Sequence, residues 1–154
     1  LLPIEEFELE LKKGNVSDVI ALATYLGEKG GLRLASRSKA ARGYYLAKDK
    51  PSLSLSVVNL SPSDPTAQQL TKWLSAIQAL EEAIFANPIP PTITMPAMLA
   101  LFSDWCKKQA DLPASMQHSL NAISPLTFTT ATDYYHVLWL NFKLSSTAWL
   151  LSIA

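Results

Sequence analysis

The sequence predicts an all-α fold: an irregular bundle of about six helices with one extended segment near 52–60. Three observations carry this. Apolar residues recur at spacings of three and four over most of the chain, the period of a helix with one buried face. Helix-start residues stand ahead of those runs: Asn15, the Asp64–Pro65 pair, and Thr130 followed by Asp133. The chain has 154 residues, 49% of them hydrophobic, so residues 1–154 suffice for a single helical domain with one core.

The elements follow in order. Over 3–13, Pro3 suits a first turn, Glu5 and Glu6 suit the N-terminal dipole, Lys12 and Lys13 suit the C-terminal one, and Gly14 is a stop. The alternation Phe7, Leu9, Leu11 offers a strand as the rival; the end signals favour a helix. Asn15 caps a second helix over 16–28, with Val19, Leu22, Ala23 and Leu26 on one face, and Gly30–Gly31 breaks it. A third helix is expected over 32–48, weakened by Gly43.

Pro51 and Pro62 bracket an alternating run, Leu53, Leu55, Val57, which is a strand pattern without an obvious sheet to join. The helix over 65–86 is the clearest, with Leu70, Trp73, Leu74, Ile77, Leu80, Ile84 and Phe85 in register. A stiff proline-rich linker is expected at 87–94. A helix over 96–110 follows, with Met98, Leu101, Phe102 and Trp105 inward. A short one runs from Pro113 to 123, and the last starts near 131. That last helix is apolar on every side, which predicts a central position or a subunit contact. Asn141 and Lys143 in its middle argue against a membrane span.

Motifs for chemistry are sparse. One cysteine, Cys106, excludes an internal disulfide and multi-cysteine metal sites, and two histidines make a histidine-based metal site improbable. Cys106 shares a stripe with Phe102 and Trp105, so a buried thiol is expected. Asp133, His136, Ser145 and Ser146 lack the nucleophile elbow of a hydrolase. Glu81 and Glu82 are adjacent, about 100° apart on a helix, so they cannot share a proton; a solvated face is the expectation. The 29–33 run has glycines before an expected helix but no phosphate-loop pattern, and reads as a helix end and a turn. Neither enzymatic activity nor a cofactor or metal is expected.

Charge is the informative feature. The total is zero, yet seven of the 13 basic residues fall in 28–50 against two acidic ones. On a helix starting at Arg33, residues Arg37, Tyr44 and Lys48 fall within about 60° of it, while Leu34, Ala41 and Tyr45 fall near 80–120° and Lys39 and Arg42 on the far flank. That is a basic ridge with an aromatic beside an apolar seam. Arginine and lysine neutralise phosphates and tyrosine stacks on splayed bases. The candidate nucleic-acid-binding residues are Lys29, Arg33, Arg37, Lys39, Arg42, Tyr44 and Lys48. The competing readings are a solvated basic face and a site for an acidic protein.

The run GGLRLASRSKAARGYYLAK at 30–48, set in a small helical chain that begins at Leu1 rather than Met, resembles the small subunit of Cascade-type CRISPR interference complexes. The resemblance implies a helical bundle of this size, made in some subtypes from an internal start in a longer reading frame. It implies antiviral defence in the cytoplasm, several copies per assembly, other protein subunits as partners, and DNA or RNA backbone held through 29–50. By it, Arg33, Arg37, Lys39, Arg42 and Lys48 are the phosphate contacts. The expected function is thus a non-catalytic nucleic-acid-binding subunit of a ribonucleoprotein complex. The alternative is a helical protein–protein assembly domain without nucleic-acid contact.

Overall fold

The computed structural model describes residues 6, 8–35, 58–86 and 93–154. Among them are five α-helices and one 3-10 turn: α1 (Val16–Gly27), α2 (Thr66–Ala86), α3 (Met95–Cys106), α4 (Ala114–Ile123), η1 (Ala131–Tyr135) and α5 (Val137–Ile153). No strand occurs among the described residues. The all-helical expectation holds. The alternation at Leu53, Leu55 and Val57 and the linker at 87–92 lie outside the described residues.

α5 is the axis of the bundle. It packs against α1, α2, α4 and η1. From Val137 to Leu150 no residue is exposed. The all-round apolar composition therefore places this helix in the middle, as a helix with no polar face requires. Its start is preset by Thr130 and Asp133, whose carboxylate accepts from the Thr130 backbone N–H at 2.7 Å. That box caps η1, and His136 then starts α5 by accepting the Leu138 N–H on Nδ1 at 3.1 Å. No helix among the described residues is long and apolar enough to cross a membrane.

Ten aromatic rings form one connected network through the core. Trp73, Phe102, Trp105 and Trp149 make one end. Phe102 passes to Phe142 and then Trp139, which touches Phe128 and Tyr134. Tyr134 meets Phe85, and Phe85 meets Tyr135. Each such pair adds about 0.5–1.5 kcal/mol beyond the area it buries. Phe128 holds a left-handed backbone, φ 49°, to turn its ring into this network.

α3 is rotated from the expected phase. Met95, Met98, Leu99, Phe102, Trp105 and Cys106 are buried, whereas Leu101 is 52% exposed. Leu101 lies about 110° from the centre of that stripe, so it cannot share the face. Cys106 is fully buried and its burial pushes the thiol up to about 12, consistent with a structural thiol.

Two other elements depart from expectation. Residues 8–13 are not helical. Leu9 and Leu11 alternate and are exposed, so they supply no single helical face to bury. Residues 31–35 are not helical either, so the helix expected over 32–48 does not begin there. Gly30 and Gly31 both take positive φ, 73° and 78°, and the Gly31 N–H is given to the Tyr135 carbonyl at 3.1 Å. The chain is thereby turned out of α1 onto η1.

α1 crosses α5 at Gly27, the one buried residue of α1. A Cβ there would overlap the Leu140 side chain. Leu140 is itself buried, so it has little room to yield. Gly27→Ala gains up to about 1 kcal/mol of helix propensity and should still lose net stability by about 1–2 kcal/mol through overpacking. Urea unfolding of Gly27→Ala, Leu140→Ala and the double variant should show that the double costs clearly less than the sum. Additive costs would mean that the two residues do not meet.

Candidate functional site

The chain's most unusual chemistry lies where the 31–35 segment meets α2 and α5. Leu70, Trp73, Ile77, Leu80 and Ile84 mark the inner stripe of α2, and Glu81 falls four residues after Ile77 on that same stripe. Its carboxylate is fully buried. The expectation of a solvated Glu81–Glu82 face is therefore corrected. Helical spacing directs Glu81 inward, and Glu82 keeps only 16% side-chain exposure.

Two cations hold Glu81. Arg33 Nη1 donates to Glu81 Oε1 at 3.0 Å and to Glu82 Oε1 at 3.3 Å. Lys143 Nζ, from the centre of α5, donates to Glu81 Oε2 at 2.7 Å, to the Leu34 carbonyl at 3.3 Å, and to Gln78 Oε1. Gln78 Nε2 in turn donates to Glu82 at 3.0 Å. All three ammonium protons are thus placed, and two cations face two carboxylates. The Arg33 guanidinium also lies over the Phe85 ring, 4.3 Å from its centroid. The aromatic network therefore ends under a cation.

Burial works against the Arg33 charge, but hydrogen bonding and attraction to Glu81 and Glu82 outweigh it and raise its pKa. For Lys143 burial wins: its pKa is lowered below the ordinary 10.5, with Arg33 pushing the same way and Glu81 and Glu82 opposing. A pocket of about 140 Å³ adjoins the cluster, lined by Leu34, Ala35, Leu74, Ile77, Gln78, Phe142, Lys143 and Thr147. Its walls are mostly apolar, and its one cation already spends its donors on protein acceptors.

The candidate residues separate accordingly. Arg33 is only 15% exposed in its side chain, on an irregular segment, and its guanidinium is committed to two carboxylates and a ring. The structure places it as an anchor and not on an outward ridge. Lys29 is exposed just past the end of α1. Arg37, Lys39, Arg42, Tyr44 and Lys48 lie outside the described residues.

The residues considered for a hydrolase are each engaged elsewhere. Asp133 caps η1 and His136 caps α5. Ser146 donates to the Phe142 carbonyl at 2.7 Å, and Ser145 meets Ser119 at 2.9 Å. Among the described residues no group of three or more His, Cys, Asp or Glu side chains could hold a metal ion.

No protein-family model matches the chain, and no solved structure matches it.

Two outcomes test the cluster. Glu81→Leu strands Lys143 and leaves Arg33 with Glu82 alone, and should cost about 3–5 kcal/mol. Glu81→Leu combined with Lys143→Met removes the cation that lost its carboxylate, keeps the Arg33–Glu82 pair, and should recover most of that loss in urea unfolding. The second outcome concerns pH. The unfolded chain holds the Lys143 proton more tightly than the folded chain, so this group adds stability as pH climbs from its folded value towards 10.5. Burial, with Glu81 and Asp133 nearby, raises the Tyr134 pKa, which works in the opposite sense above its ordinary 10.0. Tyr134 is common to the parent and Lys143→Met, so it cancels in their difference. Lys143→Met should lack the parent's rise; parallel curves would contradict the lowered pKa.

Proposed function

We propose that this chain is a non-catalytic subunit that holds nucleic-acid backbone within a larger ribonucleoprotein assembly, in the manner of the Cascade-type small subunits whose 30–48 pattern it resembles. The observation that carries the reading is the distribution of charge. In the described bundle, most cations meet carboxylates: Arg33 and Lys143 with Glu81 and Glu82, Lys72 with Asp64 at 2.6 Å, Lys107 with Asp104 at 2.9 Å. Residues 36–50, by contrast, carry five basic groups and one acidic group in sequence. A stretch of that sign supplies backbone attraction without base readout. The anchored 31–35 segment, fixed through Arg33, Gly31 and the Leu34 carbonyl, supports it as the root from which that stretch departs. In this reading Lys29, Arg37, Lys39, Arg42 and Lys48 neutralise phosphates, Tyr44 stacks on an unpaired base, and Arg33 holds the root.

The test is binding to single- and double-stranded DNA and RNA across a salt series. Alanine at Arg37, Lys39 or Lys48 should weaken all ligands alike and flatten the log-affinity against log-salt slope by about 0.7–0.9 per lost contact. Tyr44→Ala should cost about 1–3 kcal/mol on single strands and leave the slope nearly intact. Parental binding by the triple Arg37/Lys39/Lys48→Ala variant at low salt would overturn the reading in favour of a protein assembly domain.

A further inference from the structure

α1 offers one face to α5 and leaves the other exposed, with apolar side chains between charged ones. Ile20, Ala23, Thr24 and Gly27 occupy the inner side, with Gly27 seated on Leu140. The sequence pattern puts Val19, Leu22, Ala23 and Leu26 on one face. In the structure Leu22 is 46% exposed, Leu26 39% and Tyr25 67%. Leu9 and Leu11, on the irregular segment ahead of the helix, are exposed as well. Large apolar side chains clustered on one exposed helix face mark an interaction surface.

The order of residues along that face says what fits it. Asp18, Leu22, Tyr25 and Lys29 follow one another at spacings of four, three and four, the spacing of a helix–helix seam. On the helix they fall within an arc of about 60°. The helical path persists through Glu28, whose backbone is still right-handed helical, and Lys29 follows on the turn that the Gly30 N–H closes on the Gly27 carbonyl at 2.9 Å. This seam is self-complementary in one arrangement. About a two-fold axis at the level of Ala23 and Thr24, an antiparallel copy sets Asp18 opposite Lys29 and Leu22 opposite Tyr25, twice each. Acid meets base at both ends, and aliphatic meets aromatic in the centre. A parallel in-register copy would instead set Asp18 against Asp18 and Lys29 against Lys29.

We infer that the outer face of α1 is a homodimer interface, occupied by α1 of a second copy of this chain running antiparallel about a two-fold axis. Such a contact is isologous and closes on itself. A pair of helices this short buries less than the roughly 1,200–2,000 Å² of a standard interface, so the dimer is weak and forms as concentration rises. Lys29 belongs to both readings, as the partner of Asp18 here and as a phosphate contact in the proposed function, but the substitutions that test the dimer fall at Leu22 and Tyr25, outside the basic stretch, so the two readings fail separately.

Sedimentation velocity of the full chain over a concentration series tests it. The parent should pass from monomer to dimer. Leu22→Lys and Tyr25→Glu, both on exposed positions, should keep the parental circular dichroism and each weaken dimerisation at least about tenfold. An equimolar mixture of the two variants should dimerise again. Across the antiparallel pair the new cation of one copy meets the new anion of the other, while the parental Tyr25 and Leu22 still meet on the other side. A parent that stays monomeric throughout overturns the inference and leaves the face to another part of this chain or to a different protein. Single variants that dimerise like the parent, or a mixture that stays monomeric, overturn this pairing.

Discussion

Glu81 is a carboxylate with no exposed surface, set in a helix between Ile77 and Ile84. Alone it would cost several kcal/mol to bury, and that penalty dictates what surrounds it. One cation has to come from the centre of the bundle, and Lys143 of α5 supplies it. The other comes from a segment without regular structure, and Arg33 supplies it. Reaching Glu81 obliges the chain after α1 to abandon the helix and cross to η1, which the positive φ of Gly30 and Gly31 permits. One buried charge thus ties together α2, α5, η1 and the 31–35 segment. The aromatic network stiffens the same region, since Phe85 touches Tyr134 on one side and carries Arg33 on the other.

Much of this was legible in the sequence. The stripe of α2 was read correctly because seven apolar residues agree on one period. The lack of a polar face on α5 left a central position or a subunit contact, and its packing against α1, α2, α4 and η1 is the central one. The box at Thr130 and Asp133, read as the start of the last helix, caps the 3-10 turn η1 instead, and α5 begins only at Val137, where His136 caps it. The departures have a common cause: local signals outweighed by contacts distant in sequence. Arg33 lies 48 residues from Glu81, and no local period reveals that pairing. Leu101 and Leu22 carry the hydrophobicity of core residues, but the phase of a short helix depends on which neighbour it meets.

Signals for the ion cluster did exist. Glu81 occupies an apolar stripe four residues after Ile77, and Lys143 sits in a helix with no solvent face. A carboxylate and an ammonium forced inward on two helices of one small bundle are obliged to find each other. Once paired they leave the basic excess to the 36–50 stretch, so the cluster and the proposed nucleic-acid contact share one charge balance. The outer face of α1 is a separate matter. Its large apolar side chains are left exposed by the described elements, and the order of its charges is what the proposed pairing with a second copy rests on.

The central claim is that Arg33 and Glu81 form a desolvated, fold-determining pair. A double-mutant cycle measures this most directly: Arg33→Met, Glu81→Gln and the combination, compared by urea unfolding. The account predicts a coupling free energy of about 1.5–3 kcal/mol, the range of buried charge-assisted hydrogen bonds. A coupling of about 0.5 kcal/mol or less, as for ion pairs on an open surface, would contradict it.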